Sequence, residues 1–123
     1  MFGKKEEAKV SRQEIRNLIG AGCVFEGNLT ISEGLTRIDG EVLGNISGSG
    51  GVLIGEKGKV KGNISLSEVV IYGKVEGDIS AKSVELRSGS NVKGNITTAE
   101  LLIEKGAIYN GQCKVEQSST EAP

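Results

Sequence analysis

The chain has 123 residues, a length that suits one domain, and a net charge of −1 with acidic and basic residues interspersed. Nineteen glycines stand beside a single proline, histidine is absent, and no run of about 18 apolar residues occurs. These features argue against a basic nucleic-acid-binding protein, a transmembrane helix and a histidine-based metal site. We expect a cytosolic protein in which Cys23 and Cys113 are free thiols.

Residues 1–16 form a polar segment with one candidate site at its beginning. An aromatic ring that inserts at a lipid interface, beside lysines that attract anionic headgroups, would attach this segment to a membrane. The alternative is an ordinary disordered segment, which two glutamates directly after the lysines favour because they oppose the positive charge. The candidate membrane-targeting residues are Met1, Phe2, Lys4 and Lys5.

The end of this segment contains a helix signal. Residues 11–14 read SRQE, a capping box that predicts the beginning of a short helix. Three apolar residues follow before Gly20, which is enough for about one helical turn.

A five-residue motif recurs six times from residue 25 onwards, for example as VKGNI at residues 60–64 and VEGDI at residues 75–79. The spacings between the motif glycines are 17, 18, 15, 17 and 17 residues. We assign these glycines to corners of the chain, because glycine takes positive φ without steric cost. The Asn or Asp that follows is expected to be structural and to bond local backbone. The corner glycines are Gly27, Gly44, Gly62, Gly77, Gly94 and Gly111.

A unit of about 17 residues with short β segments cannot bury its own apolar residues, but stacked copies can. Val, Ile and Leu at equivalent positions then form columns along a shared core, with turns about 4.8 Å apart. Stacking also places Glu76 between Lys61 and Lys93, so that neighbouring charges attract. The sequence therefore predicts an all-β fold, a single-stranded parallel β-helix of about six turns. A glycine-rich β-sandwich is the alternative, and the fixed period disfavours it.

The outermost copies of the motif differ from the middle ones. The position before the motif is polar in the four middle copies but holds Val24 and Ile108 in the first and last, where the motif itself begins with Phe25 and Tyr109. Because monomeric solenoids need polar caps, apolar ends predict end-to-end association. The alternative is that the two rings fill the wider ends of a monomer's core. The predicted polymerisation interface comprises Leu18, Ile19, Val24, Phe25, Leu102, Ile103, Ile108 and Tyr109.

The sequence does not predict an enzyme. Hexapeptide β-helix enzymes typically need histidine as base or metal ligand, and this chain has neither histidine nor a six-residue period. The acidic residues are scattered at outward positions, and no GxxxxGK[ST] phosphate loop is present. We expect no catalytic residue, no cofactor, no metal, no bound nucleotide and no nucleic acid.

The order and spacing of the repeats resemble those of bactofilins, a family of bacterial cytoskeletal proteins. The resemblance covers about residues 17–115, and it rests on the segments LIGAGCVFEGNLTI, RIDGEVLGNIS, GVLIGEKGKVKGNIS, GKVEGDISAKSVEL and VKGNITTAELLIEKGAIYNGQCKVE. It implies a right-handed β-helix of triangular section with disordered termini, here residues 1–16 and 116–123. It also makes residues 18–20 strand-like. Family members often carry Phe as an assembly residue in the last turn, where this chain has Tyr109.

The resemblance also implies a function. Bactofilins polymerise without nucleotide into non-polar filaments that join like end to like end, and many begin with Met-Phe and nearby lysines that attach them to the inner face of the membrane. The expected partners are further copies of the chain, the lipid surface of the inner membrane, and cell-envelope or membrane proteins that the scaffold positions. A monomeric β-helix that binds a protein or a glycan is the alternative function.

Overall fold

The computed structural model describes residues 14–116, and within this range it contains fifteen β-strands and no helix. The strands are short because glycine-containing corners interrupt segments of alternating apolar and polar residues. In chain order they are β1 (Ile15–Ile19), β2 (Val24–Glu26), β3 (Leu29–Ile31), β4 (Leu35–Ile38), β5 (Glu41–Leu43), β6 (Ile46–Gly48), β7 (Gly51–Ile54), β8 (Lys59–Lys61), β9 (Ile64–Ile71), β10 (Lys74–Glu76), β11 (Ile79–Leu86), β12 (Asn91–Lys93), β13 (Ile96–Ile103), β14 (Ile108–Asn110) and β15 (Cys113–Val115).

The strands pair in parallel, and three strand segments make one turn of the chain. The first face contains β1, β4, β7 and the second halves of β9, β11 and β13. The second face is the six-stranded sheet of β2, β5, β8, β10, β12 and β14. The third face contains β3, β6, the first halves of β9, β11 and β13, and β15. Six such turns stack, which confirms the predicted parallel β-helix.

The long strands β9, β11 and β13 pass from the third face to the first without a break. In the pairing of β11 with β9 and with β13, the register passes over Lys82, and the sheet bends there. This bend makes one corner of the turn without a glycine. The nine-stranded sheet therefore supplies two of the three faces.

The core consists of aliphatic columns in the predicted register. On the second face, Val42, Val60, Val75 and Val92 lie opposite one another and are 0 % exposed. Phe25 continues this column in the first turn, and the last turn carries Tyr109 at the equivalent position. Full burial of each valine contributes about 1.5–3 kcal/mol, so stacking supplies the apolar burial that one turn lacks.

The motif glycines form the corner between the second and third faces, and all of them have positive φ. At Gly77, φ is 148°, and a Cβ atom would lie 2.0 Å from the carbonyl oxygen of Gly62 in the preceding turn. A side chain is therefore excluded twice, by the backbone conformation and by the close approach of the stacked turns.

The residues that follow these glycines link consecutive turns. Asn63 Oδ1 accepts a hydrogen bond from the N–H of Asp78 at 3.0 Å, and Asp78 Oδ1 accepts one from the N–H of Asn95 at 3.0 Å. The expectation of local bonding was wrong, because each side-chain oxygen bonds the equivalent residue one turn later. The ladder comprises Asn28, Asn45, Asn63, Asp78, Asn95 and Gln112.

The N-terminal helix signal was misleading. Residues 15–19 form strand β1, in which Ile19 lies opposite Ile38 and Leu18 lies opposite Arg37. The strand forms because a whole parallel edge of β4 is available to it, whereas one helical turn has little intrinsic stability. Strand β1 begins two residues before residue 17, where we expected the domain to begin. The predicted membrane-targeting residues and most of both predicted tails lie outside the described residues.

Candidate assembly surfaces at the two ends

The first turn ends the core columns on one side of the stack. Ile19, Phe25 and Leu29 face inward, one on each face of the β-helix, and are partly buried against the buried core. They contact the second turn on one side only, because no earlier strand of the described chain stacks on them. We call these three residues the N-terminal end surface.

The last turn ends the same columns on the opposite side. Ile103 closes the first-face column that contains Ile38, Ile54, Ile71 and Leu86, and it is 47 % exposed although these four are 0 % exposed. The β13–β15 pairing covers only residues 96–98 of β13, so the second half of that strand has a free edge within the described chain.

Leu101 and Tyr109 are partly buried against the core in this last turn. Together with Ile103 they form what we call the C-terminal end surface. The two end surfaces lie roughly 24 Å apart, the length of five strand spacings. Both are apolar, and each has a free strand edge that can pair with another chain.

The hydroxyl group of Tyr109 contacts backbone carbonyl oxygens of its own chain. Its oxygen lies 2.7 Å from the carbonyl oxygen of Gln112 and 2.9 Å from that of Gly94, so the hydroxyl reaches the glycine corner beside the second face in the last two turns. Partial burial raises the pKa of the Tyr109 phenol, and the nearby Cys113 adds to this effect. The hydroxyl therefore remains a donor at neutral pH and is used within the chain.

Four of the predicted interface residues lie on the lateral faces of the β-helix and point outward, away from the core. Leu18 and Leu102 belong to the outward column of the first face, and Val24 and Ile108 belong to the outward column of the second face. Their exposed fractions are 63 %, 45 %, 58 % and 54 %, respectively. They border the end surfaces, whereas Ile19, Phe25, Ile103 and Tyr109 lie on them.

Several end residues were not predicted. Leu29 and Leu101 end inward columns, and Ile15 and Val115 are 55 % and 50 % exposed in the first and last strands. The repeat contains a signal for Leu29, which takes the place of the isoleucine in the motif. Cys113 takes that place in the last copy and is exposed as a free thiol, as is Cys23 in the first turn.

The described surface has few features of a ligand site. A shallow groove of about 860 Å³ follows the bend between the third and first faces, and six of its thirteen lining residues are Ser or Thr, beside three glutamates and Lys82. Within residues 14–116, no group of three His, Cys, Asp or Glu side chains is placed to hold a metal ion. The same range contains no helix long and apolar enough to cross a membrane. The end surfaces are therefore the main candidate site.

Comparison with known proteins agrees with this architecture. The family model described as "Bactofilin: Polymer-forming cytoskeletal" matches residues 17–114. Among curated proteins, bactofilin BacO of Myxococcus xanthus is 33 % identical over 100 residues, which is 80 % of this chain and 79 % of BacO. Bactofilin BacP of the same organism is 30 % identical over 108 residues, which is 87 % of this chain but only 45 % of BacP.

Two solved structures have the same fold. The solid-state NMR structure of the cytoskeletal bactofilin BacA superposes with a TM-score of 0.72 at 36 % identity, covering 81 % of this chain and 95 % of BacA. The crystal structure of a mutant bactofilin from Thermus thermophilus superposes with a TM-score of 0.67 at 27 % identity, covering 72 % of this chain and 98 % of that one. The chain belongs to the bactofilin family of polymer-forming cytoskeletal proteins.

Proposed function

We propose that this bactofilin is a scaffold that assembles end to end, without nucleotide, into non-polar filaments on the cytoplasmic face of the membrane, where it positions cell-envelope proteins. The observation that carries the proposal is the state of the two end surfaces. Ile103 is 47 % exposed at the end of a column whose middle members are fully buried. An apolar column that stops at solvent is stabilised when a second molecule covers it.

The end surfaces also favour a like-to-like arrangement. Each surface is apolar by itself, so two N-terminal end surfaces, or two C-terminal ones, can meet across a two-fold axis without burying an unpaired charge. Phe25 in the first turn and Tyr109 in the last supply the aromatic rings. The family resemblance supports the same non-polar arrangement.

Electron microscopy of the purified chain without nucleotide tests assembly. Phe25→Arg and Ile103→Arg each place a charge on one end surface, and we expect both variants to lose long filaments because an unpaired charge in an apolar contact is costly. Leu43→Arg is the control, since Leu43 lies in an outward column of a middle turn. If the unmodified chain remains a folded monomer at high concentration, the alternative of a binding module is favoured.

Membrane attachment is proposed for the N-terminal segment. A single Phe2 ring with Lys4 and Lys5 binds lipid weakly, but a filament presents many copies, and avidity increases the total affinity. Flotation with anionic vesicles should recover the full chain and should recover less of a chain that lacks residues 1–8. Equal recovery of the two chains would contradict the role of this segment.

A further inference from the structure

The three faces of the β-helix differ in charge. In the middle four turns, the outward positions of the third face carry only hydroxyl groups, at Ser47, Ser65, Ser80 and Thr97. On the first face, Arg37 pairs with Asp39 at 2.9 Å and Arg87 pairs with Glu85 at 2.8 Å, and Glu68 and Glu100 add acidic side chains. The strands of these two faces therefore have no surplus of positive charge.

The second face has a surplus of lysine. Its outward positions in the same four turns contain four lysines and two glutamates, Glu41 and Glu76. The lysines, which we call the lysine face, are Lys59, Lys61, Lys74 and Lys93.

The lysine face contains an unfavourable neighbour pair. Lys59 lies directly opposite Lys74 on adjacent strands, and like charges at opposed positions of a sheet reduce stability. Glu76 lies opposite both Lys61 and Lys93, as the sequence predicted. Glu41 lies opposite Lys59, so the two glutamates partly offset the lysines. Within residues 14–116, none of these four lysines forms an ion pair, whereas all three arginines in that range do.

We propose that the lysine face docks on an anionic lipid surface, so that the filament lies along the membrane on the second face. This inference builds on the proposed function and assigns its membrane contact to a particular side of the β-helix. Lysine ammonium groups on flexible stems suit diffuse phosphate headgroups, and each contributes appreciably near an anionic leaflet. The flat sheet presents them together to a flat surface.

A second copy of the chain is a poorer partner for this face. Most acidic side chains on the other two faces already have a partner in their own chain: Glu14 and Glu33 contact Arg16, Glu104 contacts Arg87, and Glu116 contacts Lys114. Lateral contact with another filament would therefore have to break existing pairs to satisfy most of the lysines, although Glu100 on the first face is exposed.

Nucleic acid is also a poorer partner. The outward positions of the second face contain no aromatic side chain in the described turns, so no base could stack there. They contain no arginine either, the residue that forms bidentate contacts with phosphates and guanine.

The direction of the lysine face suits a filament. It runs parallel to the stacking axis, whereas the two end surfaces are perpendicular to it. End-to-end assembly therefore leaves the lysine face open and repeats it in every subunit that has the same orientation about the axis. Weak binding by one subunit then becomes strong binding by a filament.

Vesicle flotation of the full chain tests the proposal. With mixed phosphatidylserine and phosphatidylcholine vesicles, we expect Lys59→Gln combined with Lys74→Gln to lower partitioning about tenfold or more, and added salt to reduce binding by the unmodified chain. The matched control is Lys82→Gln combined with Lys114→Gln, which removes the same charge away from the second face. We expect the control to change partitioning less than twofold, about the effect of a general change in net charge.

The outcomes distinguish this proposal from the proposed function. Flotation that is unchanged in the lysine-face variant but lost in Phe2→Ser would overturn the lysine face and leave attachment by the N-terminal segment intact. Equal losses in the lysine-face variant and its control would overturn it as well. Binding of duplex DNA that depends on these lysines, without vesicle binding, would assign the face to nucleic acid and contradict the proposal.

Discussion

The Tyr109 hydroxyl donates to the backbone of the corner that directly follows strand β14, with its oxygen 2.7 Å from the carbonyl oxygen of Gln112. The ring thus occupies the last position of the valine column of the second face, while the hydroxyl ties the last two corners together. An aromatic residue at this end therefore has two separable roles, one in apolar contact and one in the stability of the last turn.

Tyr109→Phe separates these two roles. We expect filaments to persist because the ring remains, and we expect the last turn to lose about 0.5–1.5 kcal/mol because one hydrogen bond is removed. Amide hydrogen exchange at residues 113–115 measures the change. Tyr72→Phe on the first face is the control, and equal exchange in both variants would show that the Tyr109 hydroxyl does not stabilise the turn.

Ile79→Asp tests the shared core. Ile79 is 1 % exposed in a middle turn, so a carboxylate there would be buried without a partner and should destabilise the chain by about 3–5 kcal/mol. Circular dichroism during urea unfolding measures the loss. The control is Ser80→Asp, at the next residue, whose side chain faces outward. Similar unfolding midpoints for the two variants would contradict the alternation of inward and outward residues.

Gly77→Ala tests the glycine corner. An alanine Cβ would lie 2.0 Å from the Gly62 carbonyl oxygen, so the stacked turns must separate in addition to the cost of positive φ. Gly89→Ala is matched, because φ is also positive there, at 92°, but no atom lies within 4 Å of the added Cβ. We expect Gly77→Ala to cost about 2 kcal/mol more in the free energy of unfolding than Gly89→Ala. Equal costs would mean that the corner has room for a side chain.

The corner at residue 104 should be sensitive to acid. Hydrogen bonds from the Ser88 N–H and from Arg87 lower the pKa of Glu104 below its usual range. Because the folded-state pKa is depressed, the ionised carboxylate stabilises the fold above about pH 4.3, the usual pKa of glutamate. This contribution is lost as pH falls through the lower folded-state pKa.

NMR titration of the Ser88 amide measures this effect. In the unmodified chain the amide shift should change at a pH below the usual glutamate range, and Glu104→Gln should remove the change. Glu100→Gln, on the strand that ends just before Glu104, is the control and should leave the titration unaltered. A Ser88 titration that persists in Glu104→Gln would assign the acid sensitivity to another group.

The repeat in the sequence determined which residues are equivalent, and equivalence was enough to predict the architecture. Because the motif repeats about every 17 residues, stacking consecutive copies is the simplest way to bury the valines of VKGNI and VEGDI. Stacking places Val60 opposite Val75, as the structure shows. The same period placed Glu76 between two lysines. Strand pairing in a solenoid follows from period alone, because each turn meets only its neighbours.

The repeat shows which positions are equivalent, but predicting whether an end residue faces inward or outward requires all residues of its column. Val24 belongs to the same column as Glu41 and Lys59. Because those two residues are charged, the column must face outward. The apolar character of Val24 suggested an end contact, yet the column to which it belongs lies on the side of the β-helix. The residue type at the end of a column does not show whether its side chain faces the core or the solvent, whereas the residue types along the whole column do.

Only the tertiary structure decided which atoms the side chains of the corner and the last turn reach. The side-chain oxygen of Asn63 accepts a hydrogen bond from the next turn, and the Tyr109 hydroxyl lies 2.9 Å from the carbonyl oxygen of Gly94 in the preceding turn. Both contacts depend on the distance between turns, and each joins residues that are 15 positions apart in the sequence. Strand β1 likewise forms on the edge of β4, which overrides the helix signal before it. A local pattern determines the period and the alternation along each strand, whereas contacts across the core depend on how the stacked turns meet.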